Sequence, residues 1–208
     1  TEVGGKESTG VIAESGSKAT AGNVKVSGEY MTGASAYGDS TVHVKGDVTA
    51  TGENSVGIDG ETGTIKVGGD VSGIEAVVAR GEADVTVGGS VSGTLSGIVA
   101  VGNASVSVKG DAETKVGPGV FAQENATVTV DGNVTGGTFY EAPEGYEYVY
   151  PAIIAGAGTT VIVKGTVSTA ERNFFAVGIN CWDAGSQKGT LILEKAKAGG
   201  EANAIYVN

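Results

Sequence analysis

Tyrosine and carboxylate side chains are concentrated in one short stretch of this chain. The segment FYEAPEGYEYVYP, residues 139–151, holds four of the seven tyrosines, and a second stretch at 171–183 holds the only tryptophan. Tyrosine and tryptophan offer flat apolar faces with a polar tip, and carboxylates accept hydrogen bonds from hydroxyl groups. These residue types favour carbohydrate binding. The candidate ligand-binding residues are Tyr140, Glu144, Tyr146, Tyr148, Tyr150, Trp182 and Asp183.

The same aromatic residues have a second interpretation. The alternation Y-E-Y-V-Y, residues 146–150, also fits an extra hairpin whose tyrosines pack against the rest of the protein or cover one of its ends. The sequence leaves both interpretations open.

Catalytic residues are not indicated by the sequence. His43, the only histidine, lies between two valines and has no serine or cysteine in register, and Cys181 has no second histidine to activate it. Asp47, Asp70 and Asp111 recur at equivalent positions and are typical of a column of turn residues, with an oxygen-ligated calcium as the alternative. We therefore predict no catalytic residue, no metal site and no cofactor.

Composition and charge narrow the class of protein further. The 208 residues include 37 glycines and 3 prolines, and the apolar residues are mainly valine, alanine and isoleucine, which favour strands. The formal net charge of −11 repels phosphate backbones and anionic lipid surfaces. No apolar run approaches the length of a membrane-spanning helix. We therefore predict neither nucleic-acid binding nor direct membrane insertion.

A repeat of about twenty residues runs through most of the chain. Its clearest copies are ADVTVGGSVSG (83–93), ASVSVKGDAET (104–114) and ATVTVDGNVTG (126–136). The V-x-V core recurs from Val24, Val42, Ile65, Val161 and Leu191, which gives spacings of 18, 23, 20, 21, 22, 33 and 30 along the whole series. An apolar-x-Ala triplet precedes the core at 11–13, 34–36, 77–79, 98–100, 120–122 and 153–155, and VGI at 56–58 fits with one extra residue.

These patterns predict the fold. V-x-V alternation turns two valines to one side of a strand, and stacked copies can bury them in a continuous core. The glycine after each core fits a corner that requires a sharp turn or a positive φ, and the next residue is usually short and polar, able to cap its own backbone. These corner residues are Glu29, Asp47, Asp70, Ser90, Asp111, Asn133 and Thr166. We predict a single all-β domain over residues 1–208, a right-handed parallel β-helix of about eight coils.

The two longest spacings predict insertions. Spacings of 33 and 30 place extra residues near 137–152 and 171–188, the two stretches that carry the aromatic residues. Because successive coils are stacked, we expect the insertions to be neighbours. Loops on a rigid scaffold commonly carry binding residues.

The outward positions of V-x-V form a second column. Thr86, Ser107 and Thr129 are expected to line up there, with Lys25, His43 and Lys66 before them. A hydroxyl array of this length is too short to serve as a template for ice or another crystal.

The pattern VTVGGSVSG (85–93) followed by GIVAVGNASVSVKGDAET (97–114) resembles the right-handed parallel β-helix repeats of large bacterial surface proteins, which are adhesin-like and share the pectate-lyase-like architecture. The resemblance extends from about Val11 to Val167. It implies an extracellular or wall-attached protein, of which this chain is a piece, with a stalk or glycan-contacting role. Glycans or host surface molecules are then the expected partners. A polysaccharide lyase or glycoside hydrolase is the alternative function.

The terminal coils suggest one more partner. An exposed end of a stacked sheet is an open strand edge that can pair with another strand. We therefore expect end-to-end self-association through the terminal coils.

Overall fold

The structure, a computed structural model, describes residues 1–136, 140–141, 147–148, 150–169, 177–179, 189–197 and 205–207. These residues contain strands and no helix. Twenty-two strands form one sheet in which every pairing is parallel, and two short strands pair separately. The chain is a parallel β-helix, as the repeat predicted. Six coils run without a break from Glu2 to Val130, so the count of about six is slightly lower than the eight that the repeat predicted.

Each coil contributes a strand to three faces in turn. Face 1 contains Glu2–Lys6, Val24–Glu29, Val48–Thr51, Ala112–Thr114, Val134–Gly136, the first parts of Val71–Ala79 and Val91–Val101, and the last parts of Thr160–Thr169 and Thr190–Lys197. Face 2 contains Thr9–Ala13, Thr32–Ala36, Val56–Gly60, Val120–Gln123, Ile153–Ala155, Val177–Ile179, Ile205–Val207, and the last parts of Val71–Ala79 and Val91–Val101.

Face 3 carries most of the V-x-V cores. It contains Lys18–Ala21, Thr41–Val44, Thr64–Val67, Asp84–Val87, Ser105–Val108, Thr127–Val130, and the first parts of Thr160–Thr169 and Thr190–Lys197. The degenerate core at Leu191 pairs with Val161, as the repeat predicted.

The core lies inside the coil and is made by the inward positions of all three faces. Val85, Val106 and Val128 pair directly above one another and are at most 1 % exposed. Burying a side chain of this size contributes about 1.5–3 kcal/mol relative to leaving it in water. The predicted stack of aliphatic rungs is confirmed, and it gives the outward side chains a regular, rigid support.

The register of the first coils differs from the sequence prediction. Val24 pairs with Val48 on face 1, and Ala19 is the residue that pairs with Val42 on face 3. The spacing of 18 therefore compares two different faces. Strands on faces 1 and 3 both alternate buried and exposed residues, so V-K-V at 24–26 satisfies either face, and only the pairing between coils distinguishes them.

Two further residue pairings also differ from the sequence prediction. The outward residue opposite His43 in the first coil is Thr20, whereas Lys25 pairs with Thr49. On face 2, Ile58 rather than Val56 pairs with Ala34, because the strand Val56–Gly60 extends two residues further than the triplet suggests.

Candidate functional site

A column of short polar side chains follows the corner between faces 3 and 1. We name it the corner ladder, and its members are Asn23, Asp47, Asp70, Ser90, Asp111, Asn133 and Thr166. Each backbone N–H from Asp47 to Thr166 donates to the side-chain oxygen of the preceding member, over 2.7–3.1 Å. These side chains therefore link neighbouring coils and do not cap their own backbone as predicted. The first member is Asn23, and the assignment of Glu29 was wrong because it followed the misread register.

The corner glycines are explained by this ladder. A Cβ atom built on Gly46, Gly69 or Gly89 would overlap the side-chain oxygen of the ladder residue one coil earlier. None of these three glycines has a positive φ. The predicted sharp corner is confirmed, but glycine is required by the neighbouring side chain and not by backbone conformation. Positive φ values occur instead at the corner between faces 2 and 3, for example at Gly81 and Gly102.

A shallow polar groove runs along face 1 beside the corner ladder. Thr49, Ser72, Ser92 and Glu113 occupy the same outward position in four successive coils, with Asp47 and Asp70 of the ladder along one side. We name these six residues the face 1 groove. The Ser92 hydroxyl donates to Glu113 Oε1 at 3.0 Å. A second shallow depression lies next to this groove, and Gly52, Gly73 and Gly93 are among the residues that line it.

The face 1 groove can hydrogen-bond a polar ligand. Its hydroxyls both donate and accept, and its carboxylates accept, at intervals of about 4.8 Å along the rod. Sequence reasoning missed this groove, although the outward T, S, S and E of VTA, VSG, VSG and AET at 48–50, 71–73, 91–93 and 112–114 recur at the coil period. The repeated V-x-V cores lie mainly on face 3, so the comparison of those cores did not include these face 1 residues.

A second polar cluster lies on face 2. Arg80 Nη1 donates to Asp59 Oδ1 at 2.6 Å, and the Tyr37 hydroxyl donates to Asp59 Oδ2 at 3.1 Å. Burial, followed by the charge of Asp59, raises the pKa of Tyr37 above its ordinary value of 10.0. The cluster joins three coils, since its members are 22 and 21 residues apart. Because both oxygens of Asp59 are engaged, its role here is to connect coils.

An ion-pair stack at the end of face 3 joins three successive coils. The Lys109 ammonium donates to Asp131 Oδ2 at 2.8 Å, and the Lys164 ammonium lies 2.8 Å from Asp131 Oδ1. Hydrogen bonds from Lys109 and Lys164 lower the pKa of Asp131 below its ordinary value of 3.8.

We expect the substitution Asp131→Asn to lower the melting temperature slightly at pH 7, because the two lysine ammonium groups lose the negative charge with which they pair. A lowered pKa stabilises the fold above the ordinary pKa of 3.8, and this contribution is lost as the pH falls through the lowered value. Melting curves from pH 7 to about pH 2 should therefore converge for the two proteins. Asp84→Asn, on the same face with no described ion pair, is the control. A melting difference that persists at the lowest pH would contradict this assignment.

The aromatic segment is only partly within the described residues. Tyr140–Glu141 pairs antiparallel with Glu147–Tyr148. Tyr150 is half-buried immediately before the buried Pro151 and the face 2 strand Ile153–Ala155. Glu144, Tyr146, Trp182 and Asp183 lie outside the described residues. The ligand-binding role of the segment, and its alternative of covering the rod, both stay predictions.

The described residues contain no group of three or more His, Cys, Asp and Glu side chains that could hold a metal ion. Nor does that part of the chain contain a helix that could cross a membrane.

In comparisons with known proteins, no family model, curated protein or solved structure matches this chain. The fold and its surfaces define the class: a parallel β-helix repeat protein.

Proposed function

We propose that this chain is a non-enzymatic, adhesin-like module of a bacterial surface, a rigid rod that presents a glycan-contacting surface. The observation that carries this proposal is the unbroken stack of six coils, four of which bear one continuous polar groove. At about 4.8 Å per coil, the stack extends about 29 Å along its axis.

Rigidity supports a stalk role. Every coil is joined to the next by backbone pairing on three faces and by a corner-ladder hydrogen bond. Bending the rod would break these bonds and open the aliphatic core, so the stack resists deformation as one body. An extracellular or wall-attached location suits a rod of this kind.

The surface chemistry supports glycan contact. The face 1 groove offers hydroxyl and carboxylate groups, which are the partners that sugar hydroxyls require. The aromatic segment, residues 139–151, connects the face 1 strand Val134–Gly136 to the face 2 strand Ile153–Ala155. The tyrosines there, together with Trp182 of the second stretch at 171–183, would supply apolar faces for sugar rings, as many small-ligand sites combine apolar surface with a few polar groups.

We expect a triple variant, Tyr146→Ala, Tyr148→Ala and Trp182→Ala, to keep the fold and to lose binding on a glycan array. The measurement is array binding at matched concentrations, with circular dichroism and melting temperature as tests of folding. Tyr30→Ala is the matched control, because Tyr30 is 53 % exposed on a distant coil. The expected loss is about tenfold or more, the typical cost of removing aromatic residues that carry much of the binding energy.

Two results would count against this proposal. If the parent protein binds no glycan on the array, the glycan-contacting role is wrong, although the stalk role could stand. An equal loss of glycan binding in Tyr30→Ala would mean that the aromatic segment is not where the glycan is bound.

A lyase or hydrolase is the second candidate, favoured by the carboxylates Asp47, Asp70 and Glu113 that line one groove. Asp47 and Asp70 each use one oxygen to accept a backbone N–H, which leaves their other oxygen for a substrate. New reducing ends or unsaturated products from acidic and neutral polysaccharides would support this candidate over the stalk.

A further inference from the structure

Face 3 of the first three coils concentrates positive charge in an otherwise acidic chain. Three exposed lysines form this cationic surface, Lys18, Lys45 and Lys66, and the exposed His43 lies among them. None of these forms an ion pair with a carboxylate in the described part of the chain. By contrast, Lys6, Lys25, Arg80, Lys109 and Lys164 each pair with one.

The register holds these side chains close together. His43 pairs directly with Lys66 in the next coil, and Lys18 pairs with Thr41, two residues before His43. Adjacent coils are about 4.8 Å apart, so the group spans roughly 10 Å along the rod. Lys45 follows the same strand as His43, and its neighbours in the coils on either side are Gly22 and Gly68, which present no side chain against it.

Carboxylates border the surface at the corner between faces 2 and 3, where Glu14, Asp39 and Glu61 are exposed, and at two further points. Asp84 pairs with Thr64 and ends it in the fourth coil. Asp47 lies at the corner two residues beyond Lys45, where its Oδ1 accepts the backbone N–H of Asp70. Between them, threonine hydroxyls at Thr41 and Thr64 lie in the column next to the cations.

We infer that this cationic surface binds an anionic polysaccharide. Lysines without an intramolecular partner attract anions without first breaking an ion pair, and the interleaved hydroxyls can hydrogen-bond sugar hydroxyls. A nucleic acid carries a much denser charge, and the formal net charge of −11 repels such a polymer more strongly than a sparsely charged one. A polysaccharide with acidic groups spaced along neutral sugars meets less repulsion and also offers hydroxyl groups to the threonines.

This inference goes beyond the proposed function, because the cationic surface lies on a different face from the face 1 groove and away from the aromatic segment. Binding to one surface can therefore fail while binding to the other persists.

The test compares sparsely substituted carboxymethyl-dextran with unmodified dextran, which share a backbone and differ in charge. We expect the intact protein to bind carboxymethyl-dextran at about 50 mM salt, not to bind dextran, and to lose at least about tenfold in affinity at about 200 mM salt, as expected when about three cations displace counterions. The triple variant Lys18→Gln, Lys45→Gln and Lys66→Gln should lose about tenfold or more and most of the salt dependence.

A matched control removes the same charge elsewhere. The triple variant Lys6→Gln, Lys25→Gln and Lys109→Gln also removes three positive charges from the net −11, but all three lysines are paired with carboxylates. We expect less than a threefold loss for it. Melting temperatures establish that both variants are folded.

Three outcomes would overturn the inference. They are the absence of carboxymethyl-dextran binding at low salt, equal losses in the two triple variants, and equally tight binding of a single-stranded oligothymidylate. The last would make the surface a general polyanion site rather than one for polysaccharides.

Discussion

Replacement of Ile98 with alanine is expected to lower the free energy of unfolding by about 2–5 kcal/mol, the largest single effect that the core predicts. Ile98 is fully buried on face 2 and pairs with Val77 and Val120 in the coils on either side. The backbone of each coil is held by its neighbours, so the surrounding side chains cannot collapse into the space that the isoleucine leaves. Urea denaturation monitored by circular dichroism measures the change.

The control for this prediction is Ile12→Ala on the same face. Ile12 occupies an outward position and is 46 % exposed. Because little apolar area is lost there, the expected change is within about 0.5 kcal/mol. Similar changes for Ile98→Ala and Ile12→Ala would mean that face 2 does not separate inward from outward side chains as the structure has it.

The second large effect is expected at a corner glycine. Gly69→Ala should destabilise the protein by about 2–4 kcal/mol, since its Cβ would overlap Asp47 Oδ1. The side chain of Asp47 must then move, and the hydrogen bond that it accepts from the N–H of Asp70 at 2.9 Å is lost. Gly22→Ala is the control, because a Cβ there has no atom within 4 Å.

A double-mutant cycle separates this explanation from a general intolerance of alanine at the corner. Asp47→Ala alone should cost about 1 kcal/mol, since the freed N–H of Asp70 lies at an exposed corner where water can replace the carboxylate. With Asp47 truncated, Gly69→Ala meets only the backbone of Gly46, so the double variant should be about 1–2 kcal/mol more stable than the sum of the single changes predicts. Strict additivity would contradict the explanation.

The periodic features were predictable because they are local. Alternation of valine and polar residues in a strand depends only on the two-residue period of the backbone, and it correctly placed Val85, Val106 and Val128 in one column. The long spacings after Val128 and Val161 likewise predicted where the coils lengthen.

Register was harder to predict where one face resembles another. Val24 and Val42 belong to faces 1 and 3, yet both lie in a V-x-V strand, and the small Ala19 in the true column has no distinctive pattern. The face 1 groove was missed for a related reason: its hydroxyls come from four strands about twenty residues apart, and their alignment depends on the lengths of all three corners in each coil.

The amino-acid sequence by itself determined that this chain coils into stacked parallel strands, because a twenty-residue repeat of aliphatic pairs has no other way to bury them. Only the tertiary structure decided which coil each strand joins, why glycine is needed at Gly69, and which side chains share the face 1 groove or the cationic surface. These features depend on atoms one full coil apart, where contact between side chain and backbone is set by stacking and not by neighbours along the chain.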